Sequence, residues 1–180
     1  MGPTGFIKGQ VQQLHVLDYG LFKVHANGRV IGICGFLIVT DLGERILVDT
    51  GFPQKYADDV VAASLEDRLG GFGEILQFTS ENMPKSQLAK AGVAMGDIDL
   101  LIITHTHIDH VGGLCDFLGV PILIAKAERD LERPMYWGKV QPMDWPDRDY
   151  LQVVEDFDLG PNLRVLLVPG HAPGQLALLL

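Results

Sequence analysis

The sequence predicts an α/β (α+β) domain, and three stretches carry the prediction. Ile98 to Ile103 is an apolar run, the mark of a strand covered on both faces. Val30 to Val48 is a second apolar stretch, interrupted by Asp41-Leu42-Gly43-Glu44, as a hairpin is by its turn. Between them, Gln54 to Leu69 carries apolar residues at helical spacing. At 180 residues, 47% of them hydrophobic and 21% charged, the chain is long enough to bury one ordinary core. No linker or repeat divides it, so residues 1–180 are expected to form a single domain.

Taken in order, Val11 to Asp18 is expected as the first strand, ending near Tyr19-Gly20. Val30 to Thr40 is a longer strand whose glycines allow a bulge or the close approach of another backbone. Arg45 to Val48 returns beside it and runs into Asp49-Thr50-Gly51. The Gln54–Leu69 helix would carry Val60, Val61, Ala63, Ser64 and Leu65 on neighbouring turns and stop at Gly70-Gly71. Phe72 to Asn82 reads as irregular. Pro84 to Ala91 is a short helix, with proline in its first turn and Gly92 past its end. A helix is expected after the histidines, to about Leu118, then a buried strand over Pro121 to Ala125 and a charged, exposed helix over Lys126 to Glu132. Pro134 to Asp149 crowds aromatics among prolines and charges, which is a loop pattern. Leu151 to Val154 and Leu163 to Val168 resume strand character. Pro169 to Gly174 is a sharp turn, and Gln175 to Leu180 opens another apolar strand. Ala177-Leu178-Leu179-Leu180 would be an aggregation hazard if left uncovered, so the domain is expected to continue past Leu180.

The formal charge of -9 argues against a nucleic-acid backbone or an anionic membrane as partner. Two cysteines, Cys34 and Cys115, are too few for a disulfide framework and read as buried reduced thiols. Met1-Gly2-Pro3-Thr4-Gly5-Phe6 lacks the charged-then-apolar pattern of a secretory leader. Phe6 also stands where a myristoylation signal wants Ser or Thr. The longest apolar run, Val30 to Val39, is too short to span a bilayer. A cytoplasmic location is the expectation.

Three of the six histidines fall within His105-Thr106-His107-Ile108-Asp109-His110. At the end of a strand, residues two apart face the same way, so His105 and His107 can aim two imidazoles at one point. Asp109 and His110 lie past the turn, where the chain starts a helix, and can face a second point close by. Gly112-Gly113 lets the backbone turn tightly beneath. Imidazole and carboxylate together suit Zn, Fe or Mn. His171 sits in a Pro/Gly-framed turn after another buried strand and is a further ligand candidate. His15 and His25 have no such company. Asp49 ends a buried strand and needs a partner. It is a ligand, a helix cap or, as preferred here, an acceptor that orients a histidine.

The hexad His105-Thr106-His107-Ile108-Asp109-His110 resembles the HxHxDH motif of the metallo-β-lactamase superfamily. Leu47-Val48-Asp49-Thr50-Gly51 resembles its ILVDTG element, and Pro169-Gly170-His171-Ala172-Pro173-Gly174 its PGHxPG element. The resemblance implies an αββα sandwich, with most of its C-terminal half absent from this chain. It implies that His105, His107 and His171 hold one metal, and that Asp109 and His110 hold the other. A bridging Asp and a last His belong to the family pattern beyond the position of Leu180.

The layout looks most like the N-acyl homoserine lactonase, or quorum-quenching, branch. The implied function is hydrolysis of a lactone or other ester by a metal-activated hydroxide, with an acyl homoserine lactone-like substrate. The implied cofactors are two divalent ions, zinc first, with Fe, Mn or Co as substitutes. Asp109 is a candidate proton acceptor, weakened as a base if it also ligates. Ile108 is expected either to face the pocket, where it would suit an acyl substrate, or simply to pack. Tyr136 and Trp137, in the aromatic loop, are expected to cap it or to form a homodimer contact. A glyoxalase II-like thiolester hydrolase and a phosphodiesterase are alternatives within the family. A mononuclear iron, sulfur-dioxygenase-like redox enzyme and an inactive metal-binding fragment are alternatives of other classes. The family's flavodiiron members carry Glu at the position of His107, which disfavours that redox branch.

Overall fold

The computed structural model describes residues 5–180; the amino-terminal tetrapeptide used in the leader and myristoylation readings lies outside the described residues. The chain runs β1 (Val11–Val24), β2 (Val30–Thr40), β3 (Arg45–Val48), α1 (Lys55–Asp58), α2 (Val60–Glu66), β4 (Gly73–Gln77) and α3 (Pro84–Lys90). It continues with β5 (Leu100–Ile103), α4 (Ile108–Val111), β6 (Ile122–Ala125), α5 (Lys126–Arg129), β7 (Tyr150–Val153), β8 (Phe157–Gly160), β9 (Leu163–Leu167) and β10 (Leu176–Leu179).

Two sheets form. One has seven strands in the order β4-β1-β2-β3-β5-β6-β7, and the other has three in the order β10-β9-β8. The β5 sequence explains the layering. Leu101 and Ile103 pack with Tyr56, Ala63, Leu88 and Val111 of the helices, while Leu100 and Ile102 pack with Leu159, Leu163, Val165 and Leu176 of the small sheet. All four β5 residues are fully buried, as a strand covered on both faces requires. The layers are therefore helices, large sheet and small sheet, in the mixed α/β class expected.

From β3 to β7 the strands are parallel, with Val48 opposite Ile102 and Ile103 opposite Ile124. Parallel pairing aligns strand ends, so the residues after β3, β5 and β6 emerge at one edge. Asp49 donates its N–H to the Ile102 carbonyl at 2.9 Å, immediately beside the segment that begins at Thr104.

Several elements differ from their sequence readings. β1 runs 14 residues, past the expected end at Asp18 to Gly20. Its register breaks between Asp18 and Leu21, and beyond the break it pairs with β4 as well as β2. Gly20 sits at the break with φ 99°, and a Cβ there would lie 2.1 Å from the Gln77 carbonyl oxygen. β4 itself was expected to be irregular. It is an edge strand with mostly exposed side chains, so no buried alternation marks it.

The Gln54–Leu69 helix breaks at Asp59, which turns extended and caps α2 by accepting from the Val61 and Ala62 amides. Val61 and Leu65 consequently point to solvent, and only Ala63 of that face is buried. The helix after the histidines is one turn, α4, followed by a 3-10 turn at Leu114–Asp116. Gly112 ends it against the Phe52–Pro53 backbone, where a Cβ would lie 2.0 Å from the Phe52 carbonyl carbon. The charged helix is also one turn, α5, and its Glu128 is buried rather than exposed. β8 was not foreseen. Cys34 and Cys115 are free and exposed, not buried. No helix among the described residues is long and apolar enough to cross a membrane.

Candidate metal centre

β5 ends at Ile103, so His105 and His107 both lie past the strand in the irregular segment that leads into α4, rather than on the strand itself. That segment is held by its neighbours. Asp49 Oδ1 accepts from the Thr104 amide and Oδ2 from the Thr104 hydroxyl, both at 2.8 Å. Thr50 donates its amide and its hydroxyl to the His110 carbonyl, and the Gly112 amide donates to the Gly51 carbonyl. The Asp-Thr-Gly element and the histidine hexad are thus one hydrogen-bonded unit. Asp49 adopts φ 62°, a left-handed backbone that non-glycine residues rarely hold without such surrounding bonds.

The β9–β10 turn brings the third histidine. The Leu176 amide donates to the Thr104 carbonyl at 2.9 Å, closing the turn against the end of β5. Ligand atoms of His105, His107 and His171 then all lie within 4.8 Å of one another. His107 Nδ1 and His171 Nε2 are 2.9 Å apart.

His105 provides the test of whether a cation fits. Its side chain is 3% exposed, and its Nε2 is buried with no hydrogen-bond partner. Its Nδ1 lies 3.1 Å from Thr104 Oγ1. Because the Thr104 hydroxyl hydrogen goes to Asp49, the Thr104 oxygen accepts from His105 Nδ1–H. The lone pair is therefore on Nε2, in the buried position that has no partner. Burial, with the neighbouring His110, His107 and His171, pushes the His105 pKa down to about 2, so the ring is neutral at physiological pH. Burial and His171 likewise hold His107 below its ordinary value. Three imidazoles converging on one point, one of them neutral with an orphaned lone pair, fit a divalent cation.

Asp109 and His110 form an adjacent pair outside this trio. His110 Nδ1 bonds Asp49 Oδ2 at 2.8 Å, and His110 Nε2 lies 3.6 Å from Asp109 Oδ2. Burial disfavours charge on His110, but the Asp49 and Asp109 carboxylates outweigh it and push its pKa up to about 9. The His105 and His110 ring centroids are 4.0 Å apart, with the planes tilted by 46°, so the pair adjoins the trio directly.

A cavity of about 320 Å³ opens beside the histidines. Phe22, Val24, Ile31, Ile33, Cys34 and Trp137 line it together with His107, Asp109, His110 and His171. Trp137 is fixed there by a T-shaped contact with Phe72 at 4.4 Å. The other two expected pocket residues are elsewhere. Ile108 is 1% exposed and packs in the helix-side core. Tyr136 is also 1% exposed, and its hydroxyl donates to Asp67 at 2.6 Å. What Tyr136 gives the site is backbone: its amide donates to the Thr106 carbonyl, and its carbonyl accepts from the Ile108 amide. His15 and His25 are remote, bonded to Gln13 and to the Gly70 carbonyl.

Sequence reasoning missed Glu128. Fully buried, it accepts from the Thr106 amide and hydroxyl and from the Gly174 amide, so it touches both histidine-bearing segments. The available signal was its place just after the buried strand β6, whose end emerges at the same sheet edge as those of β3 and β5.

Comparison with known proteins agrees with this geometry. An N-acyl homoserine lactonase of Bacillus cereus is 31% identical over 147 residues, covering 81% of this chain and 56% of the relative. A probable metallo-hydrolase of Mycobacterium tuberculosis is 28% identical over 197 residues, covering 98% of this chain and 61% of that protein. The chain thus spans a little over half the length of these relatives. Among solved structures, an N-acyl homoserine lactone hydrolase with N-hexanoyl-L-homoserine bound at its catalytic metal centre superimposes with a TM-score of 0.73. It is 26% identical, and the match covers 96% of this chain and 70% of that one. The family profile described as the metallo-beta-lactamase superfamily matches residues 35–180, a span that contains Asp49, every histidine of the cluster and Glu128. By that match and by the helix–sheet–sheet layering beneath it, the chain belongs to the metallo-beta-lactamase superfamily.

Proposed function

We propose that this domain carries the catalytic centre of a metal-dependent hydrolase that opens a lactone or other ester, with an acyl homoserine lactone-like substrate. The observation that carries the reading is the convergence of His105, His107 and His171 within 4.8 Å, with His107 and His171 lining a cavity whose other lining is largely apolar.

In this reading His105, His107 and His171 hold one divalent ion, and Asp109 with His110 contributes to a second. Zinc is the first choice for this donor set, with Fe, Mn or Co as substitutes. Bound there, such ions lower the pKa of water toward about 7 and polarise a carbonyl oxygen. The chain's own residues do the rest. Asp49 fixes the ring of His110 through Nδ1, so Nε2 is the nitrogen that would be offered to an ion once its proton is given up. Asp109 takes up a proton when it is not engaged as a ligand. Phe22, Ile31, Ile33 and Trp137 receive the acyl chain and keep water from it.

The wall favours an acyl substrate over a phosphodiester, because the residues lining the cavity include no Lys or Arg to meet a phosphate. A thiolester shares the acyl group and is the second reading. The test is hydrolysis by the metal-loaded protein of three substrates side by side: a long-chain acyl homoserine lactone, a lactoylglutathione thiolester and a phosphodiester. The lactone is expected to turn over fastest. Preferential cleavage of the phosphodiester would overturn the ester reading.

A further inference from the structure

Glu128 is a buried carboxylate with no described Lys, Arg or His at ion-pair distance. Burying a carboxylate without a counter-charge is costly, and the three hydrogen bonds it accepts are what hold it there. Oε2 accepts from the Thr106 amide at 3.0 Å and from the Thr106 hydroxyl at 2.7 Å. Oε1 accepts from the Gly174 amide at 3.0 Å. Thr106 lies between His105 and His107, and Gly174 lies in the turn that carries His171. The two oxygens of one side chain therefore join the two segments whose histidines converge.

We infer that Glu128 is a positioning residue whose carboxylate braces the His107 segment against the His171 turn and so sets the spacing of the imidazoles. This rests on reading the three histidines as ligands of one ion.

The chemistry of the brace is specific. Every group that faces the Glu128 oxygens is a donor, so both oxygens must accept. A glutamine presents an amide N–H₂ to one side or the other, against a donor, and can hold only one segment. An aspartate is one methylene shorter and cannot reach both. Gly174 is fitted to the same contact: a Cβ there would lie 2.6 Å from Ala125 Cβ and 3.0 Å from Glu128 Cγ. The Thr106 hydroxyl also accepts from the Met135 amide at 2.9 Å, which ties the aromatic loop to the brace.

The experiment is Co²⁺ titration of the metal-free chain, followed by visible absorption, with far-UV circular dichroism on each sample. Glu128→Gln is expected to keep the native dichroism, to raise the Co²⁺ dissociation constant about tenfold and to change the shape of the ligand-field bands. Gly174→Ala is expected to act alike. The double variant should be no weaker than the worse single one, because both changes open the same brace. A wild-type constant and spectrum in Glu128→Gln, or additive losses in the double variant, would overturn the brace. If Glu128→Gln does not fold, Thr106→Val removes the hydroxyl arm, together with the Met135 contact, and leaves both amide arms in place. It should weaken Co²⁺ several-fold with dichroism unchanged, and an unchanged constant there overturns the brace too. Wild-type protein that binds no Co²⁺ would instead overturn the ligand reading and the brace with it.

Discussion

His107 Nδ1 and His171 Nε2 lie 2.9 Å apart, although 64 positions separate them in the chain. Two imidazole nitrogens at that distance share a proton or bind a common cation. The sheet forces the meeting, since β5 delivers one segment and the β9–β10 turn the other. If a cation is the natural partner, either substitution His107→Ala or His171→Ala should weaken Zn²⁺ binding by at least about tenfold in calorimetry.

Asp49 connects the hairpin to the histidines through three 2.8 Å hydrogen bonds. Asp49→Ala leaves the Thr104 amide and hydroxyl and His110 Nδ1 without an acceptor. A stability loss of about 3 kcal/mol is expected from those orphaned donors, measured by urea unfolding. Asp49→Asn tolerates the left-handed backbone and keeps one acceptor oxygen, so it should lose less stability while still weakening metal binding.

Asp67 holds the aromatic loop from the opposite side. Its carboxylate, 1% exposed, accepts from Tyr56 and Tyr136 hydroxyls at 2.7 Å and 2.6 Å and from Lys55 at 2.8 Å. Tyr136 adopts φ 55°, and Trp137 follows it into the cavity wall. Asp67→Ala should cost about 3 kcal/mol or more and shift tryptophan fluorescence to the red as Trp137 is released. Unchanged emission would show that the loop does not depend on this anchor.

Glu44 gives the pH dependence of the hairpin. Burial pushes its carboxyl up, but the Lys8 and Gly9 amides, the Thr40 hydroxyl and the Lys8 charge together bring it below its ordinary value. A lowered folded-state pKa contributes stability above the unfolded value, lost as the pH falls through the folded one. Glu44→Gln should therefore lower Tm at pH 7, with the gap to wild type closing below about pH 4. A gap constant from pH 7 to pH 3 would contradict this.

Filling the cavity should change substrate choice without touching the histidines. Ile33→Trp narrows the apolar wall, so activity on long-chain acyl lactones should fall at least about tenfold relative to short-chain ones. Equal loss on both would place the acyl chain elsewhere.

Much of this was legible in the sequence because it is local. Strands β2, β3, β5 and β6 were evident from apolar runs, and the turn at Gly43 from its glycine. The histidine hexad and the turn around His171 stood out by residue type alone. What failed to show were features decided by tertiary partners. β4 forms only because β1 bends at Gly20 and offers it an edge. Val61 and Leu65 look like a core face but point outward, since Asp59 resets the helix. Ile108 and Tyr136 look like pocket residues and are packed in the interior, leaving Trp137 on the cavity. Glu128 reads as one more surface charge until the Thr106 and Gly174 donors are seen around it.

The central claim is that His105, His107 and His171 converge to hold a divalent cation. Zinc titration of the metal-free chain, wild type against His105→Ala, tests it most directly, because His105 Nε2 has no other partner among the described residues. The account predicts saturable binding by the wild type and a loss of at least about tenfold in the variant with its fold intact. Equal zinc affinity in the two proteins would contradict it.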